Sequence, residues 1–308
     1  MHHRAHPRRR AAAALSLATA GALLLTGCGG GEQAAAKDPV QDLRSRIPKA
    51  QHAAGVLRIG SDLNYAPVDF RGGEGKPDGI DPDIANAVGK ILGLRIEVVD
   101  TPFEKLIPNL HAKQFDVAMS GLSDIRQRRD GLDDTGKQVT PGVDFVDYFI
   151  AGTSIVVQKG NPKGVHTLDD LCGRIVAVQQ NTTQDEIVAR QVLACGRGGK
   201  PLTVHKFDSD AKALAEVASG AAVAGLNDFP VAAYAAKTTD GGNRFEVTGA
   251  QSKSNPYGIA LRKEDTELRD VLAKAVDQLI RSGEYDKILA KWNVSAGAAQ
   301  NAVVNGGI

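Results

Sequence analysis

Three short apolar runs alternate with two helical patterns in residues 56–120, which read VLRIGSDLNYAPVDFRGGEGKPDGIDPDIANAVGKILGLRIEVVDTPFEKLIPNLHAKQFDVAMS. The apolar runs predict β-strands at 56–60, 95–99 and 116–120. The helical patterns predict helices at 81–92 and 101–112, the first capped by Asp81 and ended by Gly93. This βαβαβ order implies a parallel sheet with helices on its faces.

The same alternation begins again after residue 150. Further strands are predicted at 153–158, 174–178, 202–206, 222–226 and 257–261. Further helices are predicted to begin at Thr182 or Thr183, at Ser209 and at Asp228, and to span 266–281 and 284–292. Two α/β units in one chain predict two lobes with a cleft between them, where ligands bind at the carboxyl ends of strands.

The lobes are expected to share the chain unequally. Lobe 1 is predicted to comprise residues 55–150 and 256–294, and lobe 2 residues 154–250. Two connecting stretches, near Ala151–Ser154 and Ser252–Pro256, would cross between the lobes and act as hinges.

The first 28 residues have the pattern of an export signal. Four arginines precede an apolar stretch, Ala11 to Leu25, that is too short for a comfortable membrane span. The run Leu25-Thr26-Gly27-Cys28 resembles a bacterial lipobox, in which the cysteine thiol is lipidated. We therefore expect removal of residues 1–27 and a lipid anchor on Cys28. The alternative is a plain signal peptide with a chance cysteine.

Two segments look unstructured. Residues 28–54 are rich in Gly, Ala and Gln, then charged, and predict a flexible tether. Residues 295–308 are small and polar and predict a disordered tail.

Charge and cysteine content narrow the class of protein. Removing the four arginines of residues 1–27, a segment without acids, takes the formal net charge from +1 to −3. Such a chain has no electrostatic footprint for nucleic acid.

Beyond Cys28 only Cys172 and Cys195 remain, which predicts a disulfide in an oxidising compartment, since both fall at the same end of lobe 2. Two buried thiols are the alternative.

Polar residues follow four of the predicted strands. Their loops begin at Ser61, Ser120, Gln180 and Asn227. A guanidinium binds a carboxylate through two parallel hydrogen bonds, and a helix start offers free N–H groups to an anion. Arg128 with such a helix start, and Asp228 opposite, would therefore hold the carboxylate and the ammonium of a zwitterion. The alternatives are a solvated run of arginines around Arg128 and a simple helix cap at Asp228.

At these residues the chain resembles the family 3 extracellular solute-binding proteins, which serve amino-acid ABC importers. The resemblance runs from about Val56 to Trp292 and is carried by LRIGSDLNYAPVDF, GKPDGIDPDIANAVGKILG, FEKLIPNLHAKQFDVAMSGLS, VDFVDYF, DLCGRIVAVQQNTTQ and SGEYDKILAKWN, in that order. It implies the type II periplasmic-binding-protein fold, an α/β fold with two lobes, each a sheet flanked by helices, and two hinge crossings.

The resemblance also implies roles for individual residues. Arg128, with Thr182 and Thr183, matches the positions that hold the ligand's α-carboxylate, and Asp228 matches the acid that holds its α-ammonium. Gly121 and Ser123 match backbone and hydroxyl contacts to the ligand. Asp62, Tyr65 and Phe103 match the side-chain pocket, and an acid between two aromatic faces suits a cationic or amide side chain.

The resemblance implies a monomeric, lipid-anchored receptor that acts outside the cytoplasmic membrane, at the cell surface or in the periplasm. Its expected partners are a free amino acid and the permease and ATPase of an ABC importer, and we expect neither cofactor, metal nor catalysis. One alternative is an enzyme on the same fold, such as a dehydratase of small carboxylic acids, with Glu104 or Asp62 as general acid. The other is a ligand-binding sensor.

Overall fold

A computed structural model of the protein describes residues 39–133 and 135–307. The predicted signal peptide and the predicted lipidation site, Cys28, lie outside the described residues. No helix in the described part of the chain has the length and apolarity needed to cross a membrane.

The described residues form an alternating α/β chain. The strands are β1 Val56–Ser61, β2 Asn64–Tyr65, β3 Asp69–Arg71, β4 Pro77–Asp78, β5 Arg95–Asp100, β6 Val117–Ala118, β7 Val143–Gln158, β8 Ile175–Gln179, β9 Thr203–Phe207, β10 Ala224–Asp228, β11 Phe245–Arg262 and β12 Ala298–Val304. The α-helices are α1 Pro39–Arg44, α2 Lys49–Ala54, α3 Ile80–Leu92, α4 Leu106–His111, α5 Arg126–Asp130, α6 Thr183–Arg197, α7 Asp210–Ser219, α8 Phe229–Thr238, α9 Thr266–Arg281 and α10 Glu284–Lys291.

Two groups of parallel strands are joined through two long antiparallel strands. The pairing order is β5-β1-β6-β11-β7-β10-β8-β9, and β12 also pairs with β7. Strands β1, β5 and β6 are parallel to one another, as are β8, β9 and β10. The small strands β2, β3 and β4 form a separate antiparallel sheet. The sequence prediction of two α/β units is confirmed, with helices filling the connections.

Each group of parallel strands has its own apolar core. One pair of buried clusters centres on β1, β6, α3, α4 and α9, and we call these elements, with β5 and α10, lobe 1. A second pair of clusters centres on β8, β10, α6, α7 and α8, and we call these elements, with β9, lobe 2. The α/β, two-lobed fold inferred from the sequence is thereby confirmed.

Strands β7 and β11 run through both lobes. They pair with each other from Val143 to Gln158, and the pairing shifts register between Thr248 and Ser252 and again between Ser252 and Asn255. The predicted hinge stretches, 151–154 and 252–256, fall at this irregular part of the two strands. The sequence predicts strands only in the C-terminal parts of β7 and β11, at 153–158 and 257–261.

Residues 39–54 correct the prediction of a flexible tether, because they form helices α1 and α2. Leu43 and Ile47 are buried in the core of lobe 1. The side chain of Arg44 donates from Nε to the carbonyl oxygen of Ile91 (2.8 Å) and from Nη2 to that of Lys90 (2.9 Å). These contacts satisfy carbonyl groups at the end of α3. The sequence of residues 39–54 has no clear apolar period and so did not indicate this packing.

The predicted disordered tail is also wrong, because β12 forms at Ala298–Val304 and pairs with β7. The segment joins the sheet through backbone hydrogen bonds, so its small polar side chains are compatible with order. Asn305 anchors its end, accepting from the backbone N–H of Phe145 (2.8 Å) and donating to Asp144 (3.0 Å).

A disulfide joins Cys172 and Cys195, with the two Cα atoms 5.1 Å apart. Cys172 precedes β8, and Cys195 lies in the last turn of α6. The bond therefore ties the end of α6 to the start of the strand on which it packs, as the sequence predicted.

Candidate functional site

Every residue that the sequence assigned to the ligand site lines one cleft between the lobes. The space among its side chains, including the part open to solvent, is about 320 Å³. The lining residues are Asp62, Tyr65, Phe103, Gly121, Ser123, Arg128, Gln179, Thr182, Thr183, Gln184 and Asp228. They lie at or after the carboxyl ends of β1, β5, β6, β8 and β10. They meet because the parallel strands of each lobe end at the same sheet edge.

Asp228 lies at the end of β10 and is held by residues of both lobes. Its Oδ2 accepts from the hydroxyl of Tyr65 (2.8 Å), and its Oδ1 accepts from Nε2 of Gln184 (2.7 Å). It begins α8 without making a side-chain cap hydrogen bond, so it is not a simple helix cap. Burial raises the pKa of the Asp228 carboxyl, while the hydrogen bonds it accepts and the charge of Arg128 act in the opposite direction.

Arg128 is half-buried in α5 and faces the cleft. Its guanidinium donates to the carbonyl oxygen of Ser123 (2.9 Å) and across the cleft to that of Asn181 (3.3 Å), and it lies 5.4 Å from the ring centroid of Phe103. Both acceptors are neutral, so they orient the guanidinium without neutralising its charge. Burial lowers the pKa of Arg128 to about 10, which leaves it cationic at neutral pH.

The neighbouring arginines differ from Arg128. Arg126 is exposed and pairs with Asp130, as expected of a surface residue. Arg129 is instead half-buried and pairs with the fully buried Asp124 (2.5 Å). A buried carboxylate requires such a counter-charge.

The first turn of α6 faces the same cleft. Thr182 is its cap, because its hydroxyl accepts from the backbone N–H of Asp185 (3.1 Å). That hydroxyl also donates to the carbonyl oxygen of Gln179 (2.8 Å). Thr183 and Gln184 follow as buried residues of the first turn, where backbone N–H groups lack intrahelical acceptors. This helix end therefore favours an anion.

Asp62 forms a second acidic corner on the lobe 1 side. Its Oδ1 accepts from Asn64 (2.8 Å), and its Oδ2 accepts from the backbone N–H of Phe103 (3.2 Å). Burial is the largest cause of a raised pKa for Asp62, partly offset by these hydrogen bonds. A buried carboxylate beside an aromatic ring suits a cationic group.

Gly121 and Ser123 lie in the loop after β6. Gly121 has φ +54°, a left-handed conformation that favours glycine, and an added Cβ would lie 3.3 Å from Val68. Its backbone N–H donates to Asp81 (2.8 Å), so its carbonyl oxygen is the group it can offer a ligand. Ser123 is buried, and its carbonyl oxygen is used by Arg128.

Gln179 and Gln184 line the cleft but were not identified as site residues from the sequence. Gln184 donates from Nε2 to Thr153 on β7 (3.1 Å) as well as to Asp228. Its position directly after Thr183 at a helix start was the available signal. Gln179 is the last residue of β8, one residue before the loop that the sequence had marked.

The cleft combines a cation and a helix N-terminus with two separate carboxylates. Such an arrangement is electrostatically complementary to a molecule that carries one anionic and two cationic groups. Within residues 39–133 and 135–307, no three His, Cys, Asp or Glu side chains are grouped to hold a metal ion.

Comparison with known proteins identifies the family of this chain. Residues 57–295 match the bacterial extracellular solute-binding proteins, family 3, and the chain belongs to that family. It is 28% identical to the arginine-binding protein ArgT of Corynebacterium glutamicum, over 87% of this chain and 84% of that protein. It is 30% identical to the lysine/arginine/ornithine-binding periplasmic protein of Escherichia coli, over 77% and 87% of the two chains.

A solved structure described as an ancestral arginine-binding protein bound to arginine is also similar. It is 34% identical, covers 77% of this chain and 98% of its own, and superposes with a TM-score of 0.68.

Proposed function

We propose that this protein is an extracytoplasmic receptor that binds a cationic α-amino acid and delivers it to an ABC importer. One observation carries the proposal: Arg128, the start of α6, Asp228 and Asp62 converge on one cleft between two lobes. Their charges complement those of arginine, lysine or ornithine. The free energy required is modest, since micromolar binding needs about 8 kcal/mol.

The α-carboxylate of the ligand would bind Arg128 and the first-turn N–H groups at Thr183. Replacing neutral carbonyl acceptors by a carboxylate gives a charge-assisted, bidentate pair in a site shielded from water. The α-ammonium would bind Asp228, with the carbonyl oxygen of Gly121 as a further acceptor. Gln184 and Tyr65 hold the Asp228 carboxylate in place for this contact.

The ligand's side chain would lie toward Asp62. Desolvation has raised the pKa of that carboxyl, so a bound cation would stabilise its ionised form. Phe103 offers a ring face beside it. The names of the relatives, which bind arginine, lysine or ornithine, support the same ligand class.

Ligand capture would use the two long strands as hinges. In this proposal lobe 1 comprises residues 55–150 and 256–294, extended by α1, α2 and β12, and lobe 2 comprises residues 154–250. The register irregularity in β7 and β11 supplies a place for bending, and contacts across the cleft such as that of Tyr65 with Asp228 stabilise closure. The closed form would present a distinct surface to the permease.

The location proposed for the protein follows from its amino terminus. The basic segment, the short apolar stretch and Cys28 support export and lipid attachment at the outer face of the cytoplasmic membrane. We propose that the receptor acts there as a monomer and not as an enzyme.

A thermal-shift screen over the common amino acids, ornithine and citrulline tests this function, followed by calorimetry of the best ligand. We expect arginine, lysine or ornithine to raise the melting temperature most. Asp62→Asn should weaken arginine binding at least tenfold and citrulline binding far less, because citrulline has the same shape without the charge. No shift with any compound would refute the proposal, and conversion of the bound amino acid to product would favour the enzyme alternative.

A further inference from the structure

Two buried carboxyl groups lie beneath the ligand-site loops and take no part in the proposed contacts with ligand. Asp69 lies on β3 with 0% exposure, and Asp81 lies in the first turn of α3 with 2%. The sequence indicated Asp81 as a helix cap, but the helix begins at Ile80 and Asp81 makes tertiary contacts instead.

Asp69 fixes the loop that carries Asp62. Its Oδ2 accepts from the hydroxyls of Ser61 and Ser120, both at 2.5 Å. The Ser120 hydroxyl in turn accepts from the backbone N–H of Asp62 (3.1 Å). A chain of hydrogen bonds therefore runs from Asp69 through Ser120 to the backbone of Asp62.

Asp81 fixes Gly121, the residue that follows Ser120 in the loop after β6. Its Oδ2 accepts from the backbone N–H of Gly121 (2.8 Å), and its Oδ1 accepts from the hydroxyl of Tyr148 (2.6 Å). Tyr148 lies on β7, the strand that runs through both lobes. Asp81 thus links the ligand-site loop directly to a hinge strand.

We propose that Asp69 and Asp81 are positioning residues for ligand binding: Asp69 sets the backbone of Asp62 through Ser120, and Asp81 sets Gly121 against the hinge strand. The proposal deepens the function argued above and rests on it. Neither residue touches the ligand, so each acts through the residue it holds.

The two acids accept hydrogen bonds differently, and this gives the proposal its test. Both donors to Asp69 meet one oxygen, and its Oδ1 is buried without a partner in the described chain. An asparagine at residue 69 can place its amide oxygen at that point and keep both contacts. Asp81 accepts one donor at each oxygen, so an asparagine at residue 81 turns an NH₂ toward a donor and loses one contact.

The protonation of the pair agrees with this difference. Burial raises the pKa of both carboxyls, Asp81 to about 7 and Asp69 well above its usual value, with the charge of Asp81 adding to the effect on Asp69. Asp69 has a free oxygen to carry the proton, whereas Asp81 uses both oxygens as acceptors. Asparagine is therefore a close substitute for Asp69 alone.

The experiment compares Asp69→Asn, Asp69→Ala, Asp81→Asn and Tyr148→Phe with wild type. The readouts are arginine affinity by calorimetry, melting temperature, and hydrogen exchange of the Gly121 amide in the unliganded protein. Val276→Ala, in the core of lobe 1 and without a part in these hydrogen bonds, controls for stability loss alone. The double variant Asp81→Asn/Tyr148→Phe tests the pairing, because removing the Tyr148 hydroxyl frees the amide oxygen for Gly121.

We expect Asp69→Asn to bind arginine within threefold of wild type, and Asp69→Ala and Asp81→Asn to bind it at least tenfold more weakly. Asp81→Asn should also speed hydrogen exchange of the Gly121 amide. Adding Tyr148→Phe to Asp81→Asn should restore part of the lost affinity. Val276→Ala should have a lower melting temperature than wild type but an unchanged affinity for arginine.

Equal losses in the two asparagine variants, or affinity that falls only as much as in Val276→Ala, would overturn the proposal. If wild-type protein binds no amino acid, the proposed function fails, but Gly121 exchange still decides whether Asp81 holds that loop. If Asp81→Asn does not fold, the contrast between Asp69→Asn and Asp69→Ala still decides the role of Asp69. The role of Asp81 is then decided by exchange of the Gly121 amide in Tyr148→Phe. Slower or unchanged exchange in that variant would contradict the coupling of Asp81 to β7.

Discussion

The hydroxyl of Tyr65 in lobe 1 donates to Oδ2 of Asp228 in lobe 2 over 2.8 Å. This hydrogen bond joins a residue predicted to contact the ligand's side chain to the residue predicted to bind its ammonium group. The backbone N–H of Asp228 lies 3.4 Å from the same hydroxyl. Because the carboxylate is also held by Gln184, its position is fixed before a ligand arrives. Preorganisation of this kind lowers the cost of binding.

Asp228→Asn tests the charge of this carboxylate. We expect amino-acid affinity to fall at least a hundredfold, since losing one member of a buried charge pair costs about 2–5 kcal/mol. The fold should survive, because Gln184 can rotate its amide to face the new NH₂ group. Calorimetry checks the prediction, with the exposed Asp208→Asn as a matched control in the same lobe. Affinity within threefold of wild type would rule out Asp228 as the ammonium partner.

Truncation after Val294 tests the contribution of β12. The deletion removes the contacts of Asn305 with β7 and exposes Asp147 and Asp124, whose carboxylates accept from Gly306 (3.0 Å) and Gly307 (2.8 Å). At about 1 kcal/mol for each lost hydrogen bond, we expect a cost of roughly 3 kcal/mol or more and a fall in melting temperature of about 5–10 °C. Asn301→Ala, on an exposed position of the same strand, should have little effect. An unchanged melting temperature would show that β12 adds no stability.

Replacing both Cys172 and Cys195 by serine tests the disulfide. The bond closes a loop with a sequence separation of 23 residues, and its loss should lower the free energy of unfolding by about 3 kcal/mol. Arginine affinity should stay unchanged, because the bond lies away from the cleft. Denaturant titration measures the stability. Two free thiols in unfolded, unreduced Cys28→Ser protein would instead indicate that these cysteines are not paired.

Stability should fall as pH rises from about 4 to 7. Burial raises the pKa of Asp81, Asp147 and Asp210 from an ordinary value of 3.8 to about 7. In that interval the folded protein binds more protons than the unfolded chain, so the free energy of unfolding decreases with increasing pH. Thermal melts across this range check the slope.

Asp210→Asn should reduce that slope by about 1 kcal/mol per pH unit, because the amide does not ionise. Its oxygen can still accept from Asn227, which donates to Asp210 in the wild-type protein. Asp286→Asn, at an exposed position, is the control. An identical slope in Asp210→Asn would show that Asp210 does not titrate as its burial suggests.

Much of the fold and the membership of the site could be predicted from the sequence, for identifiable reasons. Helices such as α9 and α10 have strong apolar periods and clear ends, and both lie close to the predicted residues. The site residues follow strand ends, and parallel strands bring such ends together. Local pattern and topology were sufficient there.

Features that depend on tertiary contacts were not predicted. The order of β12 comes from pairing with β7, not from its own side chains. Asp81 has the sequence position of a helix cap but is used by Gly121 and Tyr148. Gln184 acquires its contact with Asp228 only when β10 and α6 pack together. Sequence alone shows the residue type in each case and not its partner.

The central claim is that Arg128 binds the carboxylate of an amino acid, and calorimetric titration of arginine into Arg128→Ala tests it most directly. Arg126→Ala, two residues away and exposed, is the matched control. We predict that Arg128→Ala keeps its fold and loses at least a hundredfold in affinity, while Arg126→Ala binds as wild type. Wild-type affinity in folded Arg128→Ala would contradict the account.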